Sequence, residues 1–235
     1  MNNKLLQKLK KLIRRPGLAD NKITKQDIVR HLPSPSQHIN ILEAGAANGV
    51  DTVEFATFFP YATIYAFEPV SKNYDALCLA VKGKNNVKTF KLALAEENGE
   101  SEIHVSHNKE VGNTLATASS LLRPKEVINF HPHLEFVTSE RVKTMTIDKW
   151  AQEYGVDHID IMWLDMQGIE FQVLRASPRM LNTAKVIYSE VSLKELYEGS
   201  ILYDQYKQWM STQGFRVVKE ELLWEDAGNV LFVRA

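Results

Sequence analysis

The chain has 235 residues, 28 lysines and arginines against 29 aspartates and glutamates, a formal net charge of −1 and 44% hydrophobic residues. That balance argues against bulk electrostatic attraction to nucleic acid, and the hydrophobic share is ample for one sizeable core. The lone cysteine, Cys78, excludes an intrachain disulfide, suits a reducing cytoplasmic compartment, and sits in ALCLAV, where it reads as a small buried apolar residue.

In chain order, Leu5, Leu6, Leu9, Leu12 and Ile13 fall at helical spacing among Lys4, Lys8, Lys10, Lys11, Arg14 and Arg15, a basic amphipathic helix closed by Pro16 and Gly17. Lysines interrupt each apolar run, so it is neither a signal peptide nor a membrane span. Packing on the rest of the chain or on a second copy in a homodimer is the favoured reading for residues 4–15, and peripheral contact with an anionic membrane is the alternative. Residues 33–37 form a polar linker, which divides the chain into an N-terminal extension (1–36) and a main domain (37–235). Apolar runs follow at 39–44, 62–67, 87–94, 159–164, 184–190, 215–222 and 229–233. Helical patterns fall between most of them, at 51–59, 72–81, 146–154, 170–176 and 203–213. This alternation predicts an α/β fold, a mostly parallel seven-stranded sheet with helices on both faces, whose last two runs form an antiparallel hairpin. Residues 106–141 break the pattern; this polar, turn-rich stretch reads as an inserted loop that covers a ligand and shapes substrate choice, a surface ribbon being the plainer alternative.

The most informative segment is INILEAGAANGVDT, Ile39 to Thr52, followed by TIYAFEP ending at Glu68 and Pro69. A strand, a small-residue turn, a helix and then an acid at the end of the next strand form an adenosine pocket in a βαβ unit. Gly45 and Gly49 bracket Ala46, Ala47 and Asn48 as G-x-x-x-G, which lacks the third glycine of a dinucleotide fingerprint, and no G-K-[ST] follows. A phosphate-free adenosine ligand fits better, S-adenosylmethionine being the common one. Gly45 is expected to let backbone approach the ligand, and Glu68 to accept hydrogen bonds from the ribose hydroxyls. A tight turn followed by a capping acid is the plain alternative.

The ordered blocks ILEAGAANGVDT, YAFEPVSKNYDAL, FKLALAEENGE, MTIDKW, WLDMQGIEFQVLRAS and VIYSEV resemble the FkbM family of S-adenosylmethionine-dependent methyltransferases. The resemblance implies a Rossmann-like class I methyltransferase fold with a reversed C-terminal strand. It assigns cofactor binding to Glu43, Gly45, Ala46, Asn48, Gly49 and Thr52 of the first block, to Glu68 and Pro69 of the second, and to Ala93 and Leu94, with Leu92, beside the adenine. It also places Asp165 at the methyl end of the cofactor. The family's D-x-E-G-x-E appears here with Gln167 in place of the middle acid, and Glu43 stands where aspartate is frequent.

Methyl transfer from a sulfonium needs alignment and dryness, and an alcohol acceptor needs a base as well. The catalytic candidates are Asp165, orienting the acceptor, Glu170 in the first turn of the next helix, where capping competes as an explanation, and the loop histidines His131 and His133. H-P-H lacks a third spaced ligand, and Asp165 with Glu190 is short of a metal set, so no metal is expected. The resulting expectation is O-methylation of a sugar, glycan or other small molecule, with no nucleic-acid partner. The alternatives are a methyltransferase acting on protein or nucleic acid, and a noncatalytic adenosine-binding scaffold.

Overall fold

In the computed structural model, which describes residues 22–32, 38–110 and 116–235, the strands in chain order are β1 (Asn40–Ala44), β2 (Thr63–Phe67), β3 (Val87–Phe90), β4 (Ala93–Leu94), β5 (Gly99–Asn108), β6 (Leu134–Met145), β7 (Ile161–Leu164), β8 (Val186–Ser192), β9 (Phe215–Glu221) and β10 (Ala227–Arg234). The helices are α1 (Lys25–Val29), α2 (Val50–Phe58), α3 (Ser71–Ala80), α4 (Val127–Phe130), α5 (Ile147–Glu153), α6 (Glu170–Arg175), α7 (Pro178–Leu181) and α8 (Tyr203–Thr212). Seven strands form one sheet in the order β3-β2-β1-β7-β8-β10-β9. β1 and β7 are apolar along nearly their whole length because, as central parallel strands, they are buried on both faces.

Alternation sorts the core. Leu42, Tyr65, Phe67, Met162, Leu164, Ile187 and Phe232 point to one face, where Ile147 and Trp150 of α5, Val173 of α6, Met180 of α7 and Tyr206 of α8 meet them. Ile41, Ile64, Ile161, Trp163, Val186, Tyr188 and Leu231 point to the other, under Ile28 of α1 and Phe55 of α2. Lys25 fastens α1 to α2: its ammonium lies 4.2 Å from the Trp163 ring centroid, 3.0 Å from Glu54, and pairs with Asp51. The basic segment 4–15 and the linker 33–37 lie outside the described residues.

The C-terminal strands form the expected reversed hairpin, with β10 inserted antiparallel between β8 and β9. Three expectations are corrected. The run 87–94 is two strands in two sheets, since Val87–Phe90 continues the main sheet while Ala93–Leu94 pairs with Thr144–Met145 of β6. The stretch 106–141 is not a plain loop: β5 and β6 form a long antiparallel ribbon that begins at Gly99 and carries α4 in its connection. Ile103 and Val105 alternate inward with Val142, a period-2 signal diluted by the solvated face. Cys78 is exposed rather than buried, because α3 turns Asn73 and Leu77 inward and 78 falls one step past that stripe.

Gly45 follows β1 with φ +84°, and a Cβ there would collide with the carbonyl oxygen of Asp165. Its smallness therefore serves the junction of the β1 and β7 tips, a contact the sequence did not reveal. Gly45→Ala is expected to lower the unfolding free energy by roughly 3 kcal/mol, read from urea titration. An unchanged midpoint would show that the junction relaxes freely.

Candidate active site

The turn after β1 is set by three backbone features. Gly45 and Ala46 both donate their N–H groups to the Phe67 carbonyl at the tip of β2 (3.1 and 3.0 Å), Ala47 adopts φ +47°, and Gly49 caps α2 with φ +79°. A side chain at Gly49 would run into Leu77 of α3, so this glycine serves helix packing. The turn faces an open cavity at the carboxyl ends of β1, β2 and β7. β1 is where strand order reverses, the usual ligand site of such sheets.

Of the residues expected to hold a cofactor, Gly45, Ala46, Asn48, Glu68, Pro69, Ala93, Leu94 and Asp165 line this cavity. Glu43, Gly49 and Thr52 do not. Glu43 is enclosed beneath the turn, with Thr52 beside it, and Oε2 of the one and Oγ1 of the other have no hydrogen-bond partner. Phe67, Val70, Leu92, Ile103, Leu121 and Ile169 complete an apolar slot.

Glu68 does more than close the second strand. Its Oε2 accepts the Ala47 N–H and its Oε1 the Val70 N–H, both at 2.8 Å, and Oε1 also accepts a longer bond from Asn73 Nδ2 (3.5 Å), so it clamps the turn while one lone pair on Oε2 remains for a ligand. Asn73, which the sequence did not single out, holds Ala116 from both sides (Oδ1 from its N–H, Nδ2 to its carbonyl, 3.1 Å each) and so ties the insertion to the cavity rim.

At the β7 tip, Gln167 adopts φ +59° and its amide nitrogen donates to Asp165 Oδ1 and Glu190 Oε2, at 2.7 Å each. Its Oε1 accepts the Tyr197 hydroxyl (3.1 Å) and its carbonyl accepts the Ser120 hydroxyl (2.8 Å). Glu170 is turned back onto this loop, accepting the N–H groups of Met166 (2.6 Å) and Gly168 (3.0 Å), and it lines neither this cavity nor the next. It acts as a loop staple, as the capping explanation had it.

A second cleft adjoins the first through two shared wall residues, Thr117 and Gln167. His131, His133, Glu190, Asp226, Lys72 and Trp224 line it. His131 Nε2 lies 2.8 Å from Asp226 Oδ2, and the His133 ring meets that of His131 edge-on at 5.8 Å. Burial pushes the Asp226 carboxyl upward, but the His131 contact outweighs it and holds the group below its ordinary value. Asp226, Gln167 and Tyr197 had no motif to announce them; Gln167 was visible only as a departure from one.

The electrostatics of this strand edge are lopsided. Burial raises Glu43 to about 8, Glu68 to about 7 and Glu170 to about 7, and it raises Asp165 and, further, Glu190. Among the described residues none of these five carboxyls forms an ion pair with a lysine, arginine or histidine. Such a set suits a ligand that brings positive charge and an adenosine moiety together, as S-adenosylmethionine does.

The chain matches the FkbM methyltransferase domain over residues 43–217. It belongs to the FkbM methyltransferase family. The domain is that of an S-adenosylmethionine-dependent methyltransferase. A related protein, the 2-O-methyltransferase NoeI of Sinorhizobium fredii (strain NBRC 101917 / NGR234), is 30% identical over 162 residues, 68% of this chain and 66%, just under two thirds, of NoeI. Among solved structures, the Methanococcus jannaschii fibrillarin pre-rRNA processing protein is similar with a TM-score of 0.50 at 13% identity, covering 94% of this chain and 86% of that one. At that identity the likeness concerns the fold alone. The N-terminal domain of EvdMO1, solved with S-adenosylhomocysteine bound, gives a TM-score of 0.48 at 11% identity over 100% of this chain and 98% of that one. No helix among the described residues is long and apolar enough to cross a membrane.

Carboxyls raised by folding keep their protons longer in the native FkbM domain than in the unfolded chain. The stability they contribute is complete below the ordinary glutamate range and is lost as pH climbs through the native values of Glu43, Glu68 and Glu170. The ligand-free protein is therefore expected to be more stable at about pH 5.5 than at about pH 8.5, by roughly 2 kcal/mol, and Glu43→Gln to flatten the slope. Urea unfolding at the two pH values checks this; a flat or rising profile contradicts it.

Proposed function

We propose that this protein transfers the methyl group of S-adenosylmethionine to a hydroxyl oxygen of a sugar or glycan. The observation that carries the reading is the meeting of two cavities at Thr117 and Gln167, one on the glycine turn and one beside it into which His131, His133, Glu190 and Asp226 are brought. Glu68 would hold the ribose hydroxyls, chiefly through the open lone pair of Oε2, and Leu92, Ala93, Leu94, Pro69 and Ile103 would flank the adenine. The turn Gly45–Asn48 and the β7 tip at Asp165 would receive the amino-acid end.

When bound, the cofactor supplies an electrophilic methyl group; the protein orients the acceptor and removes its proton. His131 is assigned as the base: it lines the acceptor cleft, and Asp226 fixes its ring and stabilises the imidazolium that forms. His133 stands beside it as a second polar contact for the acceptor. The mixture of carboxylates, an amide, imidazoles and the half-exposed Trp224 suits a polyhydroxylated ring, which needs hydrogen-bond partners around its edge and an apolar surface for its face. The likeness to NoeI, a 2-O-methyltransferase, supports oxygen as the acceptor atom.

Radiolabelled methyl transfer onto a panel of glycosides, sugar nucleotides and small glycans tests the reading, and absence of transfer to any hydroxyl would end it. His131→Ala is expected to reduce kcat by about 100-fold with cofactor affinity unchanged. Glu68→Ala is expected to weaken cofactor binding by about 2–3 kcal/mol, since the turn loses its clamp together with the ribose contact. Calorimetry measures the second effect, and wild-type affinity would remove Glu68 from the site.

A further inference from the structure

Asp165 and Glu190 each sit 2.7 Å from the same Gln167 amide nitrogen, so the two carboxylate oxygens are no more than 5.4 Å apart. What area the pair leaves open faces the two cavities it lines: Asp165 stands on the cofactor cavity and Glu190 on the acceptor cleft. Gln167 supplies two neutral N–H donors and no charge. The groups that act on the pair from the surrounding elements are Asp51 of α2, Glu170 of α6, Tyr188 of β8, Tyr197 of the loop after β8, and Asp226 of the β9–β10 turn. All are acidic or neutral. The cationic or potentially cationic side chains on the adjoining cleft are Lys72, which is engaged elsewhere, His131 and His133, and among the described residues no ion pair joins any of them to Asp165 or Glu190. Two carboxylates so close, half-buried and with no ion-pair partner among the described residues, do not readily both stay ionised.

We propose that Asp165 and Glu190 hold one proton between them while the cofactor cavity carries no cation, release it when a sulfonium ligand enters, and take one up again once methyl transfer has discharged the sulfur. This rests on the reading of the cavity as the S-adenosylmethionine site. The balance closes within the site. The S–CH3 bond breaks with its electron pair staying on sulfur, the O–CH3 bond forms, and the hydroxyl proton passes to His131 and on to the pair. The pair is thus doubly charged when the methyl donor is bound and singly charged when the product is. It favours the charged cofactor on entry and lets the neutral product go.

The test is calorimetric titration of the full-length, ligand-free protein with S-adenosylmethionine and with S-adenosylhomocysteine, near neutral pH, in buffers of different ionisation enthalpy. The two ligands share every group except the methyl and its charge, so protons displaced at Glu68 or elsewhere around the adenosine cancel in the difference. The methyl donor is expected to release about half a proton more than the product, and the affinity ratio of donor to product to rise roughly fivefold between about pH 6 and about pH 8. Glu190→Gln is expected to abolish both effects while still binding the product, and Asp165→Asn serves if that variant does not fold. Glu43→Gln and Glu170→Gln should retain both effects. Equal proton release for the two wild-type titrations overturns the proposal, as does a difference that survives in Glu190→Gln and Asp165→Asn. If neither ligand binds, the cofactor reading itself fails, and that outcome is distinct from equal release.

Discussion

Carboxyl groups kept from water cost a folded chain free energy unless a cation or a proton neutralises them, and three buried and two half-buried ones gather at the carboxyl edge of this sheet with no lysine or arginine of the described residues in pairing distance. The rest of the site can be understood as what makes that arrangement tolerable. Backbone N–H groups of Ala47 and Val70 satisfy Glu68, those of Met166 and Gly168 satisfy Glu170, and the Gln167 amide spans Asp165 and Glu190. These contacts shape the two turns that face the cofactor. A chain that met the cost with lysines would be more stable alone, but would present a filled, neutral edge to a cationic ligand. The site trades ligand-free stability for affinity toward positive charge.

The insertion between β4 and α5 completes the design from the other side. The β5–β6 ribbon puts Ile103 on the cavity wall, Asn73 pins Ala116 to the rim, and Ser120 caps the Gln167 carbonyl. The same segment then descends through α4 to His131 and reaches Asp226 in the β9–β10 turn. One excursion of the chain thus walls the first cavity and brings His131 into the adjoining cleft. Because Thr117 and Gln167 belong to both walls, a substitution at either position alters two pockets together.

The sheet was legible because its signals are local. Runs such as ILEA and IMWL are mostly apolar, as strands buried on both faces must be. The glycine turn and Glu68 were legible because their spacing follows from the βαβ geometry itself. Gly45 shows the limit of that reasoning: its position was right, but the neighbour that forbids a side chain is Asp165, 120 residues away in sequence and adjacent only in the fold. The ribbon was obscured because its outward face is a run of Thr, Ser, Glu and Arg, so its period-2 signal survives only around Ile103, Val105 and Val142. Asp226 and Tyr197 are recognisable only through what they touch, and no spacing rule reaches across such distances. Glu170 was ambiguous between chemistry and capping, and its two N–H contacts place it with the loop.

Infrared difference spectroscopy of the ligand-free protein against its complexes would examine the unneutralised strand edge most directly, because the carbonyl stretch of a protonated carboxyl is separate from that of a carboxylate. With S-adenosylmethionine the account predicts loss of a protonated-carboxyl band and gain of carboxylate, to a larger extent than with S-adenosylhomocysteine. Identical spectra for the free protein and both complexes would contradict it, since the acids at the strand tips would then be indifferent to the charge placed among them.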